Sequence, residues 1–129
     1  MQAIEQQTKK IIIFDDDEDL LTICTYFLEE NGWVVYTFND CKEVVEHVSN
    51  ILPDLILMDN WIPDEGGIAA THKLKQSEEL SNIPVIYFSA NSDIEKLSEM
   101  AGADGHLAKP FDLDELLSII DQTISSKAK

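Results

Sequence analysis

Short, continuously apolar runs alternate with amphipathic segments along the whole chain. Three of the runs are apolar at every position, as strands buried on both faces of a sheet are. The pattern predicts five strands, at residues 11–14, 33–38, 55–58, 85–88 and, more weakly, 106–108. Regular alternation of strands with helices is typical of βα units around a parallel sheet, so we expect an α/β fold.

The segments between the strands carry apolar stripes at helical spacing, which we interpret as core. They comprise Leu20, Ile23, Cys24, Phe27 and Leu28; Val44, Val45, Val48 and Leu52; Ile94, Leu97 and Ala101; and Leu113, Leu116, Leu117, Ile120 and Ile124. A further, less regular helix is expected after Gly66 and Gly67. Capping-box spacing predicts helix starts at Asp40, Ser92 and Asp112, each with Glu three residues later. Asn31 with Gly32 predicts the end of the first helix.

Length and charge limit what the chain can bind. Its 129 residues are enough for one domain, which we place at residues 9–124 between frayed ends at 1–8 and 125–129. Aspartate and glutamate number 25 against nine lysines and no arginine, which gives a formal net charge of −16. Phosphate backbones and anionic membranes are bound by basic side chains, so we expect no direct nucleic-acid or membrane binding.

The chain carries no sign of export or of a membrane anchor. No apolar run reaches the length of a membrane span, and the first residues lack a secretory signal. Cys24 and Cys41 have neither disulfide nor metal-site spacing, which suits a reducing compartment. We therefore expect a cytoplasmic protein.

Polar side chains directly follow four of the predicted strands. They are Asp15 and Asp16 after the first strand, Asp59 after the third, Ser89 after the fourth and Lys109 after the fifth. We expect a doubly wound five-stranded parallel sheet of the flavodoxin-like order 2-1-3-4-5, with helices on both faces. In that order strands 1 and 3 are neighbours where the strand order reverses. The three carboxylates, the hydroxyl and the ammonium should then meet at one edge of the sheet.

Clustered carboxylates repel one another, so the three aspartates predict a bound cation. Mg²⁺ prefers oxygen ligands and joins carboxylates to phosphate oxygens, which indicates phosphoryl chemistry; Mn²⁺ is the alternative ion. An aspartate can itself attack phosphorus and form an acyl phosphate, and Asp59, which stands singly after its strand, is the better candidate. Lys109 would pair with the phosphoryl oxygens, and Ser89 would donate a hydrogen bond to one of them. The acids at 17–19 instead fit a solvated helix start.

In these features the chain resembles the response-regulator receiver domain of two-component signalling, the CheY-like family. The resemblance covers residues 9–124 and is carried by four stretches, which read IIIFDDD, PDLILMDNWIP, VIYFSA and GADGHLAKPF. It implies a phosphorylation-controlled signalling switch with weak phosphotransfer and self-dephosphorylation activity, and not an enzyme in the ordinary sense.

The resemblance also implies partners and residue roles. Asp59 would accept a phosphoryl group from a histidine kinase or a histidine phosphotransfer protein, and the phosphorylated domain would switch its binding to a downstream protein partner. The implied site comprises the Mg²⁺ ligands Asp15, Asp16, Asp59 and the backbone carbonyl of Trp61, the phosphoryl contacts Ser89 and Lys109, and a cis peptide between Lys109 and Pro110.

Three positions bear on how such a switch would work in this chain. The family's switch aromatic, Tyr or Phe three residues before the lysine, is His106 here, and its imidazole would turn inward together with Ser89. Gly66 and Gly67 stand where the family usually has Asp-Gly, which we interpret as a loop difference. Trp61, two residues after the acceptor, would either shield the acyl phosphate from water or pack on the following loop.

A second interpretation makes the chain an enzyme. The first strand is followed by two aspartates with one residue between them, which resembles the opening motif of haloacid-dehalogenase-like phosphatases. By that resemblance Asp15 would be the nucleophile and Asp17 the general acid. That interpretation offers no role for Asp59. A pseudo-receiver that only binds partners also stays open, although the site residues are all present. The receiver interpretation, as a stand-alone domain, uses every polar residue at the strand ends.

Overall fold

The computed structural model describes residues 9–59, 66–90 and 92–127. Within these ranges the elements are β1 (Lys9–Phe14), α1 (Glu18–Glu30), β2 (Trp33–Phe38), α2 (Val44–Ile51), β3 (Leu55–Asp59), α3 (Gly67–Gln76), β4 (Val85–Ser89), α4 (Ile94–Ala101), β5 (Gly105–Ala108) and α5 (Leu113–Lys127). The strands form one parallel sheet of order β2-β1-β3-β4-β5. The predicted fold class and strand order are therefore confirmed.

A hydrophobic layer lies on each face of the sheet. On one face α2, α3 and α4 pack against residues such as Met58 and Tyr87, and on the other α1 and α5 pack against Leu57 and Phe88. Successive residues of a strand point to opposite faces, so a strand with helices on both sides must be apolar at consecutive positions. β3 and β4 keep this pattern until their last residues, Asp59 and Ser89, which lie at the carboxyl edge.

Two of the predicted helix ends are formed by the expected residues. The Asp112 amide donates to Oε1 of Glu115 at 2.9 Å, as a capping box before α5 requires. α1 ends at Asn31, and Gly32 follows in a left-handed conformation with φ of 91°. Such a conformation favours glycine because it has no Cβ to clash with the backbone.

The capping boxes predicted at Asp40 and Ser92 are wrong. Oδ1 of Asp40 accepts a hydrogen bond from the Lys42 amide at 2.9 Å, and α2 begins only at Val44. In α4 the N-cap is Asp93, one residue later than predicted. Short polar side chains close local turns as readily as they cap helices, so spacing alone does not separate the two structures.

Two apolar residues assigned to the core are exposed: Ile23 (54%) and Leu52 (52%). The buried stripe of α1 is Leu21, Cys24 and Leu28. Helical geometry places Ile23 on the opposite side from that stripe. Leu52 follows the last residue of α2 in a left-handed conformation, with φ of 51°, and does not continue the helical stripe.

The last helix extends past the domain limits that we expect, 9–124. α5 continues to Lys127, three residues beyond the expected end. The expected tail at 1–8 lies outside the described residues. Among the helices described, none is both long and apolar enough to cross a bilayer.

Candidate functional site

Three aspartates lie together at the carboxyl edge of the sheet. Asp15 and Asp16 follow β1, and Asp59 ends the adjacent strand β3. One carboxylate oxygen from each of the three lies within 4.8 Å of the others. Asp15 and Asp59 are buried, at 1% and 4% exposure, whereas Asp16 is exposed. The structure thus brings together the carboxylates that the strand order placed at this edge.

Lys109 joins two of these carboxylates. Its Nζ lies 2.7 Å from Oδ2 of Asp15 and 3.0 Å from Oδ1 of Asp59. Burial acts to lower the pKa of Lys109, but the hydrogen bonds and negative charges of the two aspartates outweigh it and raise this pKa above its usual value. The side chain therefore stays an ammonium ion, and the cluster combines one positive charge with three carboxylates.

The acidic run after β1 divides into two parts with different tasks. The Asp15 amide donates to the Phe38 carbonyl at 3.1 Å, and Oδ1 of Asp15 accepts from the Asp17 amide at 2.9 Å. These bonds direct the carboxylate of Asp15 into the cluster. The Asp17 side chain accepts from the amides of Asp19 and Leu20 and caps α1, so the predicted helix start at 17–19 is confirmed.

Ser89 contacts the loop that carries the lysine. It is the last residue of β4, fully buried, and its carbonyl accepts from the Lys109 amide at 2.8 Å. The peptide between Lys109 and Pro110 is cis, as the family resemblance implies. Strand β4 therefore fixes the backbone from which the lysine side chain reaches the carboxylates.

Phe88 is a residue of the site that sequence reasoning missed. Nζ of Lys109 lies 4.7 Å from the centroid of the Phe88 ring. In an apolar strand a phenylalanine looks like ordinary core, and only its place directly before Ser89 could have drawn attention to it. In the β3–β4 register Phe88 is paired with Asp59.

Two buried groups near the cluster have raised pKa values. Burial raises the pKa of Tyr87 to about 12, and the negative charges of Asp59 and Cys41 add to the effect. Burial and then the charge of Asp15 raise the pKa of the Cys24 thiol to about 11, although Lys109 opposes them. Both groups are therefore neutral near pH 7, and neither adds charge to the site.

The remaining predicted residues stand apart from the cluster or outside the described chain. His106 lies in β5 with its side chain exposed. Trp61 falls within 60–65, outside the described residues, so its carbonyl as a metal ligand and its shielding of the site stay predictions. Of the other two histidines, His47 is half-buried and His72 is exposed.

The donor set fits a hard divalent cation. Among the residues that the structure describes, three carboxylate oxygens within reach of one another and the ammonium of Lys109 leave an excess of negative charge at a partly buried edge. Mg²⁺ and Mn²⁺ take oxygen ligands of this kind, commonly together with phosphate oxygens. A buried aspartate at such a site can act as a nucleophile toward phosphorus.

Comparison with known proteins also indicates a receiver domain. The family model of the response regulator receiver domain matches residues 11–121. The CAI-1 autoinducer sensor kinase/phosphatase CqsS of Vibrio cholerae is 34% identical over 113 residues, which cover 85% of this chain but only 16% of that protein. The chain thus spans about a sixth of that relative's length.

Solved structures of receiver domains share the fold. A CheY-like response regulator receiver domain protein from Methanospirillum hungatei superposes with a TM-score of 0.85 at 26% identity, over 95% of this chain and 98% of that one. The signal receiver domain of a signal transduction histidine kinase from Syntrophus aciditrophicus gives 0.84 at 30% identity, over 92% of each chain. With the strand order, the acidic edge and the family model in agreement, the chain belongs to the response-regulator receiver domain family.

Proposed function

We propose that this receiver domain accepts a phosphoryl group on Asp59 from a histidine kinase or a histidine phosphotransfer protein, in a Mg²⁺-dependent reaction. Phosphorylation then changes its binding to a downstream protein partner. The observation that carries the proposal is the ammonium of Lys109, 2.7 Å from Asp15 and 3.0 Å from Asp59. In this proposal the domain works in the cytoplasm as a signalling switch, with weak phosphotransfer and self-dephosphorylation activity.

Asp59 has the surroundings that a carboxylate nucleophile needs. In the proposed step one of its oxygens forms the new P–O bond while the P–N bond of the phosphohistidine donor breaks. The electron pair of that bond stays on the imidazole nitrogen, which takes up a proton. Lys109, already 3.0 Å from Oδ1, meets the charge on the transferred oxygens without moving far.

The residues that would hold the metal are Asp15, Asp16 and Asp59. When bound, Mg²⁺ neutralises charge on the phosphoryl oxygens during transfer. The Asp17 amide holds the Asp15 carboxylate, and Asp16, although exposed, has a carboxylate oxygen within 4.8 Å of those of Asp15 and Asp59. The predicted carbonyl ligand of Trp61 belongs to the same proposal.

The signal would leave the site through Ser89 and His106. In the proposal the Ser89 hydroxyl donates to a phosphoryl oxygen and His106 turns inward, which alters the face formed by α4, β5 and α5. On that face His106 of β5 is exposed. A new charge of this kind can bias an element with two arrangements.

Intact-mass measurement tests the proposal, with acetyl phosphate as donor in the presence of Mg²⁺. The native protein should gain one phosphoryl group, and Asp59→Asn should gain none. Asp54→Asn is the matched control, because Asp54 precedes the same strand at its opposite end, where it accepts from the Lys10 amide. No gain by the native protein would overturn the proposal. A phosphoryl group mapped to Asp15 would favour the phosphatase alternative.

A further inference from the structure

The ammonium of Lys109 faces an aromatic ring as well as two carboxylates. Its Nζ lies 4.7 Å from the centroid of Phe88, which is fully buried. An aromatic ring carries negative charge density on its face and attracts a cation within about 6 Å of its centroid. The proposed chemistry at Asp59 gives this ring no role.

We infer that Phe88 is a positioning residue for Lys109, and that its ring face holds the ammonium at the phosphoryl site. The inference rests on the proposed function and deepens it by naming what fixes the lysine. Phe88 does not touch the reacting atoms in this account; it acts through the lysine.

A lysine at this place needs such a partner. Its four-carbon chain is flexible, and confining the ammonium has an entropic cost. The two carboxylates that bind it, Asp15 and Asp59, are also the proposed metal ligands, and Asp59 is the proposed acceptor. Both are therefore engaged elsewhere during the reaction, whereas the ring of Phe88 does not change chemically and can hold the ammonium throughout.

The ring itself is fixed by its surroundings. Phe88 packs against Phe111, with centroids 6.3 Å apart and rings inclined at 41°, and within the layer that includes Ile86, Leu116 and Ile120. Phe111 lies two residues after Lys109 in the same loop. The Ser89 carbonyl holds the Lys109 amide at 2.8 Å, so neighbouring residues at the end of β4 hold both the backbone and the ammonium of the lysine.

An aliphatic side chain at position 88 would not serve in the same way. Leucine would fill much of the volume, but it has no π-face, so the ammonium would lose hydration on that side without an attraction to offset it. A ring with fluorine substituents keeps nearly the same shape while its face becomes less negative. This difference separates the charge on the ring face from simple packing.

The kinetic test replaces Phe88 with leucine and, separately, with phenylalanine carrying one, two or three ring fluorines. Acetyl phosphate and Mg²⁺ start the reaction, and intact mass follows the phosphorylation rate. We expect Phe88→Leu to be slower by about 3- to 30-fold, and the rate to fall stepwise with each fluorine. Ile86→Val is the matched control: it removes one methylene from the same face of β4, and it should keep the native rate.

A spectroscopic test reads the contact without any reaction. In the unphosphorylated protein the Lys109 ε-methylene NMR signal should be shifted upfield by the Phe88 ring and should move downfield in Phe88→Leu. Ile86→Val should leave it in place. The shape-conserving fluorinated proteins keep the kinetic test usable if Phe88→Leu does not fold.

The two tests separate failure of the inference from failure of the proposed function. A native rate in Phe88→Leu, a rate independent of fluorination, or a Lys109 signal unmoved in Phe88→Leu would overturn the inference. If the native protein takes up no phosphoryl group, the proposed function fails, and the NMR shift alone then decides whether Phe88 holds the ammonium.

Discussion

The ammonium of Lys109 lies 2.7 Å from Oδ2 of Asp15, a residue 94 positions earlier in the chain. The same nitrogen lies 3.0 Å from Oδ1 of Asp59. Both carboxylates are buried, so their charges are only weakly screened by water. When one member of a buried ionic cluster is removed, the charges that remain are desolvated without compensation.

Replacement of Lys109 by methionine should therefore destabilise the domain when divalent cations are removed with EDTA. We expect a loss of about 3 kcal/mol in the free energy of unfolding, because two carboxylates are left facing each other in a buried place. Added Mg²⁺ should stabilise Lys109→Met more than it stabilises the native protein. In the variant the ion offsets the carboxylate charges that the Lys109 ammonium offsets in the native protein. Urea unfolding with and without Mg²⁺ measures both effects.

Lys96→Met provides the control for this comparison. Lys96 is exposed on α4, and its removal takes away the same charge far from the acidic edge. It should change the unfolding free energy by only a few tenths of a kcal/mol. If Mg²⁺ raises the free energy of unfolding equally in the native protein and in Lys109→Met, the prediction that Lys109 and the metal offset the same carboxylate charges is wrong.

Asp16 should matter for the metal and little for the metal-free fold. Its side chain is exposed, whereas its carboxylate lies within reach of Asp15 and Asp59. A ligand that binds only the native state adds RT ln(1 + [L]/Kd) to stability, about 2.7 kcal/mol at 100 times Kd. In thermal melts Asp16→Asn should lose most of the gain produced by Mg²⁺. Asp19→Asn, which neutralises an exposed acid in the first turn of α1, should keep it.

The polar edge could be predicted from sequence because strand order decides it. Once β1 and β3 are neighbours, the residues that follow them must meet, and the structure brings Asp15 and Asp59 together. The start of α2 could not be predicted, because the spacing of Asp40 and Glu43 fits a helix cap and a local turn equally well, and the structure has the turn, closed by the Lys42 amide. The contact between Phe88 and Lys109 was equally inaccessible, since nothing local distinguishes that ring from core.

The opposite edge of the sheet contains an ion pair that should support stability. Oδ2 of Asp104 accepts from Nζ of Lys75 at 2.7 Å and from the Val85 amide at 2.8 Å. Asp104→Ala leaves this amide without its acceptor and should cost about 1–3 kcal/mol in chemical unfolding. Asp104→Asn keeps an acceptor oxygen and should cost less. Asp121→Ala, on the exposed side of α5, serves as control, and a loss as large there would contradict the prediction.

Tyr87 should make the domain sensitive to alkali. Its pKa is raised from 10.0 to about 12 in the folded state, so the unfolded chain ionises first as the pH rises. The stabilisation is complete below pH 10 and is lost as the pH approaches 12; a shift of this size corresponds to about 2–3 kcal/mol. Tyr87→Phe, which cannot ionise, should lose less stability over this interval in thermal melts.

Tyr26→Phe is the matched control for the alkaline series. Tyr26 is 69% exposed on α1 and lies far from the buried layer that contains Tyr87. Its replacement should leave the slope of stability against pH as in the native protein. If Tyr87→Phe and the native protein lose stability in parallel from pH 10 to 12, burial of this hydroxyl does not govern the alkaline limit.

His106 provides the test of how the signal would leave the site. Its imidazole is exposed on β5, paired in register with Tyr87, and Ala108 of the same strand is paired with Ser89. If phosphorylation draws Ser89 toward the phosphoryl group, His106 would have to give up its contact with water. Burial of the polar imidazole costs free energy unless it finds a hydrogen-bond partner, whereas a tyrosine side chain would bury a larger apolar surface. His106→Tyr should therefore keep or enlarge the response to phosphorylation, and His106→Ala should weaken it.

Amide exchange before and after acetyl phosphate measures the response, which should include α4 and β5. His47→Ala, which replaces a half-buried histidine on α2, is the control. Exchange that changes only near Gly66 and Gly67, in the native protein as in His106→Ala, would show that this histidine does not transmit the signal.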